Sequence, residues 1–271
     1  RWLILSLIEK FPDQFTPRKI QKTILDEIES NLKSGFKKIV ICAPTGVGKS
    51  LVGATVSNYF DSSFTVTASK HLQDQYIKDI PFLKPVKGKQ NFPCLKLMAA
   101  EKVDNNRRAM RWGLTCDKGQ CQERVNKNGK EIVQICDFKP TIKQVEENTQ
   151  DSLSCHYYMQ KYDALVSKHS LWNYHAFFTI MKFNKKLFED YLDRKVTVFD
   201  EAHKIEDQII QFVGFDIFAG QVDECNLNTE KYNFTDLDSM IQLTDDIAYS
   251  YAKKIKDIKE SPVFQNNPDS E

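Results

Sequence analysis

The residues best suited to chemistry begin at Ala43-Pro44-Thr45-Gly46-Val47-Gly48-Lys49-Ser50, between an apolar run and a stretch of helical periodicity. Glycines at 46 and 48 let a backbone curl so that amide N–H groups and a helix N-terminus surround phosphate oxygens. Lys49 would reach the outer phosphates, and the Ser50 hydroxyl would hold Mg2+. The general phosphate-loop pattern calls for glycine where Ala43 stands. A second group, Asp200-Glu201-Ala202-His203, closes the apolar run Val196 to Phe199. There Asp200 would bind Mg2+ through water, Glu201 would polarise the water attacking the γ-phosphate, and His203 would report nucleotide state to the rest of the molecule. Alone, the tetrapeptide is weak, because acidic residues at a strand end also serve as helix caps. Paired with Lys49 and Ser50 along one chain, it predicts ATP hydrolysis with Mg2+.

Seven cysteines are present, and the N-terminal stretch does not read as a secretion signal. An odd count in that setting argues for metal, redox or burial rather than a disulphide framework. Cys42 lies inside an apolar run and reads as a small core residue, whereas Cys225 stands alone. Cys94, Cys116, Cys121, Cys136 and Cys155 fall within 62 positions, in surroundings that look too polar to bury them as mere hydrophobes. Four thiolates around one centre fit a 4Fe-4S cluster or structural zinc equally well, and five candidates leave one spare. The same region is basic: from Lys84 to Lys130 there are twelve Lys and Arg against four Asp and Glu, whereas Asp223 to Glu271 has five against eleven. Arg107, Arg108 and Arg111 lie beside Trp112, with Lys118 and Arg124 further on, a mixture suited to phosphates and stacked bases of single strands.

The elements that must position these groups can be read from periodicity. Thr16-Pro17 offers a helix start, and Ile20, Ile24, Leu25, Ile28 and Leu32 continue it to Gly35. Lys38 to Ala43 reads as a buried strand, Pro44 to Gly48 as a loop, and Lys49 to about Phe60 as a helix. Phe64 to Ala68 makes the next strand, and about His71 to Ile80 the next helix. Alternation of this kind predicts an α/β fold with a parallel sheet covered by helices. From about Lys87 to Ser154 no convincing strand or helix emerges, so this stretch reads as an insertion. A helix over Met159 to Ser167 and a strand over Lys195 to Phe199 resume the sheet, and Leu237 to Ile258 forms an amphipathic helix. With 41% hydrophobic and 28% charged residues the chain can bury a core. No apolar run approaches the roughly 20 residues of a membrane span. An intracellular protein is expected, and a start at Arg1 reads as an excised piece.

With these residues in hand, the chain resembles the XPD/DinG family of iron-sulphur superfamily 2 DNA helicases. Ala-x-Thr-Gly-x-Gly-Lys-Ser is the helicase form of the loop. The other matching pieces are Lys87-Gly88-Lys89-Gln90-Asn91-Phe92-Pro93-Cys94, Cys155-His156-Tyr157-Tyr158 and Trp172-Asn173-Tyr174, and Lys89, Phe92 and His156 depart modestly from the family pattern. The resemblance implies a RecA-like motor domain over 1–88 and 160–222, an iron-sulphur domain over 89–159, and the start of a helical arch domain over 223–271. It favours Cys94, Cys116, Cys121 and Cys155 as ligands, with Cys136 the substitute, and iron over zinc. It gives Gln21 an adenine-reading role and puts Lys70, Gln73, Asn173 and Tyr174 on the DNA track. The implied activity is 5'-to-3' translocation on single-stranded DNA and at forks, in DNA repair, with a second motor domain from the same polypeptide. An RNA-directed ATPase and a zinc-stabilised binding module are the competing readings.

Overall fold

The computed structural model describes residues 6–127, 130–183, 185–186, 188–214 and 217–261. The first elements are α1 (Lys19–Lys33), α2 (Lys49–Tyr59), β1 (Ser63–Thr67), α3 (Lys70–Asp79) and β2 (Lys84–Val86). The cysteine-rich stretch holds α4 (Leu95–Ala100), α5 (Asn106–Arg111), the antiparallel pair β3 (Gln122–Lys127) and β4 (Lys130–Ile135), and α6 (Ile142–Glu146). After it come α7 (His156–Val166), β5 (His169–Asn173), α8 (Tyr174–Phe183), α9 (Glu189–Leu192), β6 (Val196–Phe199) and α10 (Ile205–Val213). The last helices are α11 (Ala219–Glu224) and α12 (Leu237–Glu260).

The main sheet is parallel, in the order β2-β5-β1-β6. β1 lies between two strands and buries all five of its residues, which is why it reads as an unbroken β-branched and aromatic run rather than an alternation. Phe64 and Val66 join Trp172, Tyr174, Phe177 and Ile180 in a core with α7 and α8 on one face. On the other face Ala54, Tyr76, Ile80, Leu83 and Leu171 pack together under α2 and α3, and Ser57 Oγ meets Thr65 Oγ1 at 3.0 Å. Full burial of each large apolar side chain stabilises by roughly 1.5–3 kcal/mol. The expected α/β architecture with helices on both faces of a parallel sheet is therefore present. Its second core layer is α1, whose Leu25 and Ile28 pack with Leu7, Phe11 and Val52.

Several expectations are corrected. Residues 38–43 form no strand, and Val40 is 91% exposed. The sheet ends at β6, and a buried strand needs partners for its backbone groups; this run has none among the described residues. Cys42 is accordingly exposed, not a core residue. Helix α1 begins at Lys19 with Arg18 as N-cap, later than Thr16-Pro17 suggested. The insertion is built of short elements too brief to leave a periodic signal. β5 and α8, around Trp172-Asn173-Tyr174, escaped notice because His169, Ser170 and Asn173 interrupt the apolar pattern.

The chain divides into two compact units, Arg1–Phe212 and Val213–Glu271, and the cysteine-rich stretch stays within the first. In the second, Asp236 caps α12 by accepting the Ser239 N–H at 2.9 Å, Tyr251 donates to Glu224 at 2.9 Å, and Leu243 is buried. Among the described residues no helix is long and apolar enough to cross a membrane.

Candidate functional site

The phosphate loop is shaped by two left-handed glycines, Gly46 at φ +80° and Gly48 at φ +85°. That conformation is nearly free for glycine and costs other residues roughly 1–2 kcal/mol. Two side chains of the α1 start hold the loop: Arg18 Nη1 donates to the Gly46 carbonyl at 2.8 Å, and Gln21 Nε2 to the Gly48 carbonyl at 3.3 Å. Lys49, the first residue of α2, folds its ammonium onto the carbonyls of Ala43 (3.0 Å) and Pro44 (3.1 Å). Pro44 and Thr45 are exposed and Val47 is half-buried.

Parallel pairing of β6 with β1 carries Asp200 to the loop. Its N–H donates to the Val66 carbonyl at 2.8 Å, and its Oδ2 accepts from Ser50 Oγ at 3.3 Å, across 150 positions of sequence. Tyr76 OH donates to the same Oδ2 at 2.9 Å, and the Glu201 N–H donates to Oδ1 at 3.0 Å. Glu201 holds φ +56°, a conformation costing a non-glycine residue about 1–3 kcal/mol and concentrated at functional positions. Its Oε2 lies 3.3 Å from His203 Nδ1. Among the described residues no three His, Cys, Asp or Glu side chains are arranged to hold a metal ion. Mg2+ does not require such a set, because it is bound through one or two protein oxygens together with phosphates and water. Ser50 Oγ and the Asp200 carboxylate are hard oxygen donors and fit it.

Four expected site residues make contacts within the fold. Gln21 is 2% exposed: its Oε1 accepts the Arg18 N–H at 2.8 Å while its Nε2 holds Gly48. Both ends of the amide are thus bonded to the loop and the helix start. Gln73 is also buried and donates to the Val86 carbonyl at 3.1 Å, so it does not offer itself to a nucleic-acid backbone. Tyr174 is fully buried, stacks on Phe199 and donates to the Asp200 main-chain oxygen at 3.1 Å; burial pushes its phenol up to about 12. Asn173 caps α8 by accepting the Ala176 N–H at 2.8 Å. Tyr76, which donates to the Asp200 carboxylate, was not among the expected residues, and Tyr174, expected on the DNA track, is instead bonded to the Asp200 main chain. The spacing Gln73, Tyr76, Ile80 is a buried helical face that sequence could have shown.

Three of the five clustered cysteines are buried, against the expectation from their polar neighbours, and Cys121 and Cys136 are half-buried. Cys94, Cys116 and Cys155 form a core with Phe92, Leu97, Phe138, Tyr157 and Tyr158, because an aromatic residue lies close in sequence to most of them. Cys116 Sγ and Cys155 Sγ are 3.8 Å apart, and Lys89 Nζ donates to Cys121 Sγ at 3.8 Å. Any side chain at Gly119 would collide with Cys94 Sγ. The Cys136 backbone N–H donates to the Cys121 carbonyl at 3.1 Å; Cys136 lines a cavity with Lys96, Gln120 and Phe138, and burial first, then the nearby Cys121, Cys94 and Cys155, push its thiol up. As N-cap of α7, Cys155 is held down to about 6 by its bond from Cys116 and by the Tyr158 and Tyr157 N–H groups; the same bond drives Cys116 up. Cys94, Cys116 and Cys155 share one core; among the described residues the thiols do not close into a coordinating set, and their soft donor chemistry is compatible with zinc or an iron-sulphur cluster.

Cationic side chains lie beside aromatic rings in and near this stretch. Arg107, Arg108 and Arg111 are exposed on α5, with the Arg108 guanidinium 4.3 Å from the centre of the half-exposed Trp112 ring. Lys70 is exposed and donates to Asn91. Lys89 lies over Tyr157, Lys139 over Tyr158 and Lys161 over Phe188. Burial first, then the Lys139 and Lys89 charges, hold Lys161 down to about 8.

Residues 14–235 match the family model described as the res subunit of Type III restriction enzymes. No curated protein matches the chain.

Proposed function

Because the chain belongs to the Type III restriction enzyme res subunit family, a superfamily 2 helicase-like family of ATPases, we propose that it is the motor of an iron-sulphur DNA helicase of the XPD/DinG type. The observation that carries the ATPase half is the Ser50 Oγ–Asp200 Oδ2 contact at 3.3 Å, which joins the two nucleotide motifs at one point. Gly46, Gly48 and the α2 N-terminus would receive the phosphates, and Lys49 would exchange its loop carbonyls for phosphate oxygens. Ser50 and Asp200 would hold Mg2+, which neutralises developing phosphate charge when bound. Glu201 would take the proton of the attacking water, with His203 partnering its carboxylate.

Specificity for DNA rests on the cysteine-rich stretch. Cys94, Cys116, Cys121 and Cys155 would hold the 4Fe-4S cluster, zinc being the alternative, with Cys136 the substitute ligand. A metal there would lock α5 and the α7 start in place. The exposed arginines of α5, Trp112, Lys70 and the lysines over Tyr157 and Tyr158 then offer phosphate and stacking contacts to one strand. We further propose that 1–88 with 160–222 act as the motor domain, 89–159 as the cluster domain and 223–271 as the opening of an arch, and that a second motor domain completes 5'-to-3' translocation, in DNA repair.

The test is ATP hydrolysis with and without single-stranded DNA or RNA, for wild type, Lys49→Ala and Glu201→Gln. DNA-stimulated turnover that both substitutions abolish, with circular dichroism unchanged, supports the reading. Equal stimulation by RNA would remove the DNA assignment, and turnover surviving either substitution would remove the motor assignment. An absorption band near ~400 nm in anaerobic protein with stoichiometric iron separates the cluster from zinc.

A further inference from the structure

Asp200 is held by more than the two nucleotide motifs. Tyr76 lies on the inner face of α3, 2% exposed, among Ala54, Ile80, Leu83 and Leu171. Its phenol donates to Asp200 Oδ2 at 2.9 Å, beside the Ser50 hydroxyl that reaches the same oxygen at 3.3 Å. Position 53, beside it on α2, is glycine: a Cβ there would press on Val198 at 3.1 Å and meet the Tyr76 oxygen at an ordinary 3.8 Å. Burial first, and the Asp200 charge second, raise the phenol well above the usual tyrosine range.

We infer that Tyr76 is a positioning residue for the divalent cation that accompanies the nucleotide. A carboxylate at the end of an edge strand would otherwise rotate about its side-chain torsions. The phenol fixes Oδ2 next to Ser50 Oγ, and the Glu201 N–H fixes Oδ1 at 3.0 Å, so the oxygens that would hold the cation are arranged before it arrives. Such preorganisation strengthens binding by removing ordering that the ligand would otherwise have to impose. The inference rests on the nucleotide-site reading proposed above and adds a residue from outside both motifs.

The experiment is a Mg2+ titration of fluorescent ADP binding by the whole chain, comparing wild type with Tyr76→Phe and Tyr174→Phe. Both variants keep their ring, and circular dichroism verifies their fold. Tyr174 donates to the main-chain oxygen of Asp200, not its carboxylate, so its variant reports general loosening of the same turn. Tyr76→Phe should raise the half-saturating Mg2+ concentration roughly three- to tenfold, the effect of about one net hydrogen bond, while ADP affinity without Mg2+ stays at the wild-type value. Tyr174→Phe should leave the Mg2+ midpoint in place. A Tyr76→Phe midpoint superimposed on wild type, or an equal shift in Tyr174→Phe, overturns the positioning role alone. A wild-type protein that binds no nucleotide at any Mg2+ concentration overturns the nucleotide-site reading, and this inference with it.

Discussion

The loop and the α1 start are one mechanical unit, and Gly48→Ala with Gln21→Ala tests that coupling. Gly48 adopts φ +85° and a Cβ there would overlap Gln21 Nε2. The backbone penalty alone is roughly 1–2 kcal/mol. Displacing the Gln21 amide also forfeits its bonds to the Arg18 N–H at 2.8 Å and the Gly48 carbonyl at 3.3 Å, about 1 kcal/mol each. Gly48→Ala should therefore cost about 3–4 kcal/mol, and Gln21→Ala about 2 kcal/mol from the same two bonds. The double variant loses those bonds only once. It should cost about as much as Gly48→Ala, leaving a coupling energy of about 2 kcal/mol that independent sites do not show. Urea unfolding of the four proteins, with m-values compared, measures the cycle. Additivity within about 0.5 kcal/mol would mean that the glycine and the glutamine act separately, and the brace would be refuted. Loss of nucleotide affinity in Gln21→Ala for ATP and GTP alike would accompany a brace, whereas an adenine reader would lose affinity for ATP alone.

Serine in place of Cys94, Cys116, Cys121 or Cys155 should remove bound metal, while Cys136→Ser should keep it; metal analysis showing the reverse would reassign the ligand set. Alanine at Arg107, Arg108 and Arg111 together should weaken single-strand binding and make its salt slope shallower by roughly 0.7 per lost phosphate contact, read by fluorescence anisotropy; an unchanged slope takes α5 off the DNA path. Lys161, held down to about 8, binds a proton more readily in the unfolded chain, so its contribution makes stability rise with pH from about 8 to the ordinary lysine value near 10.4. Lys161→Met should raise the urea midpoint at pH 7 and flatten that rise, and a wild-type midpoint that falls over the window would contradict the burial argument.

The sequence by itself determined the parts whose chemistry is local. A phosphate loop demands glycines where the backbone turns left-handed, and Gly46 and Gly48 are legible for that reason. The helical period of α1, α2 and α12 and the β-branched run of β1 are legible because burial imposes its repeat on residue types. What only the tertiary structure decided depends on neighbours remote in the chain. Asp200 meets Ser50 because β1 pairs with β6, a contact spanning 150 residues. Gln73, Tyr76 and Tyr174 look like ordinary polar or amphipathic residues of motif segments, yet they turn inward because the sheet lies on that side of α3 and α8. Cys94, Cys116 and Cys155 are buried by Phe92, Phe138, Tyr157 and Tyr158, which average polarity over a window conceals. The run from 38 to 43 has the composition of a core strand, but a strand is a relation between segments. Composition supplies the apolar residues, and only the sheet can supply the hydrogen-bond partners.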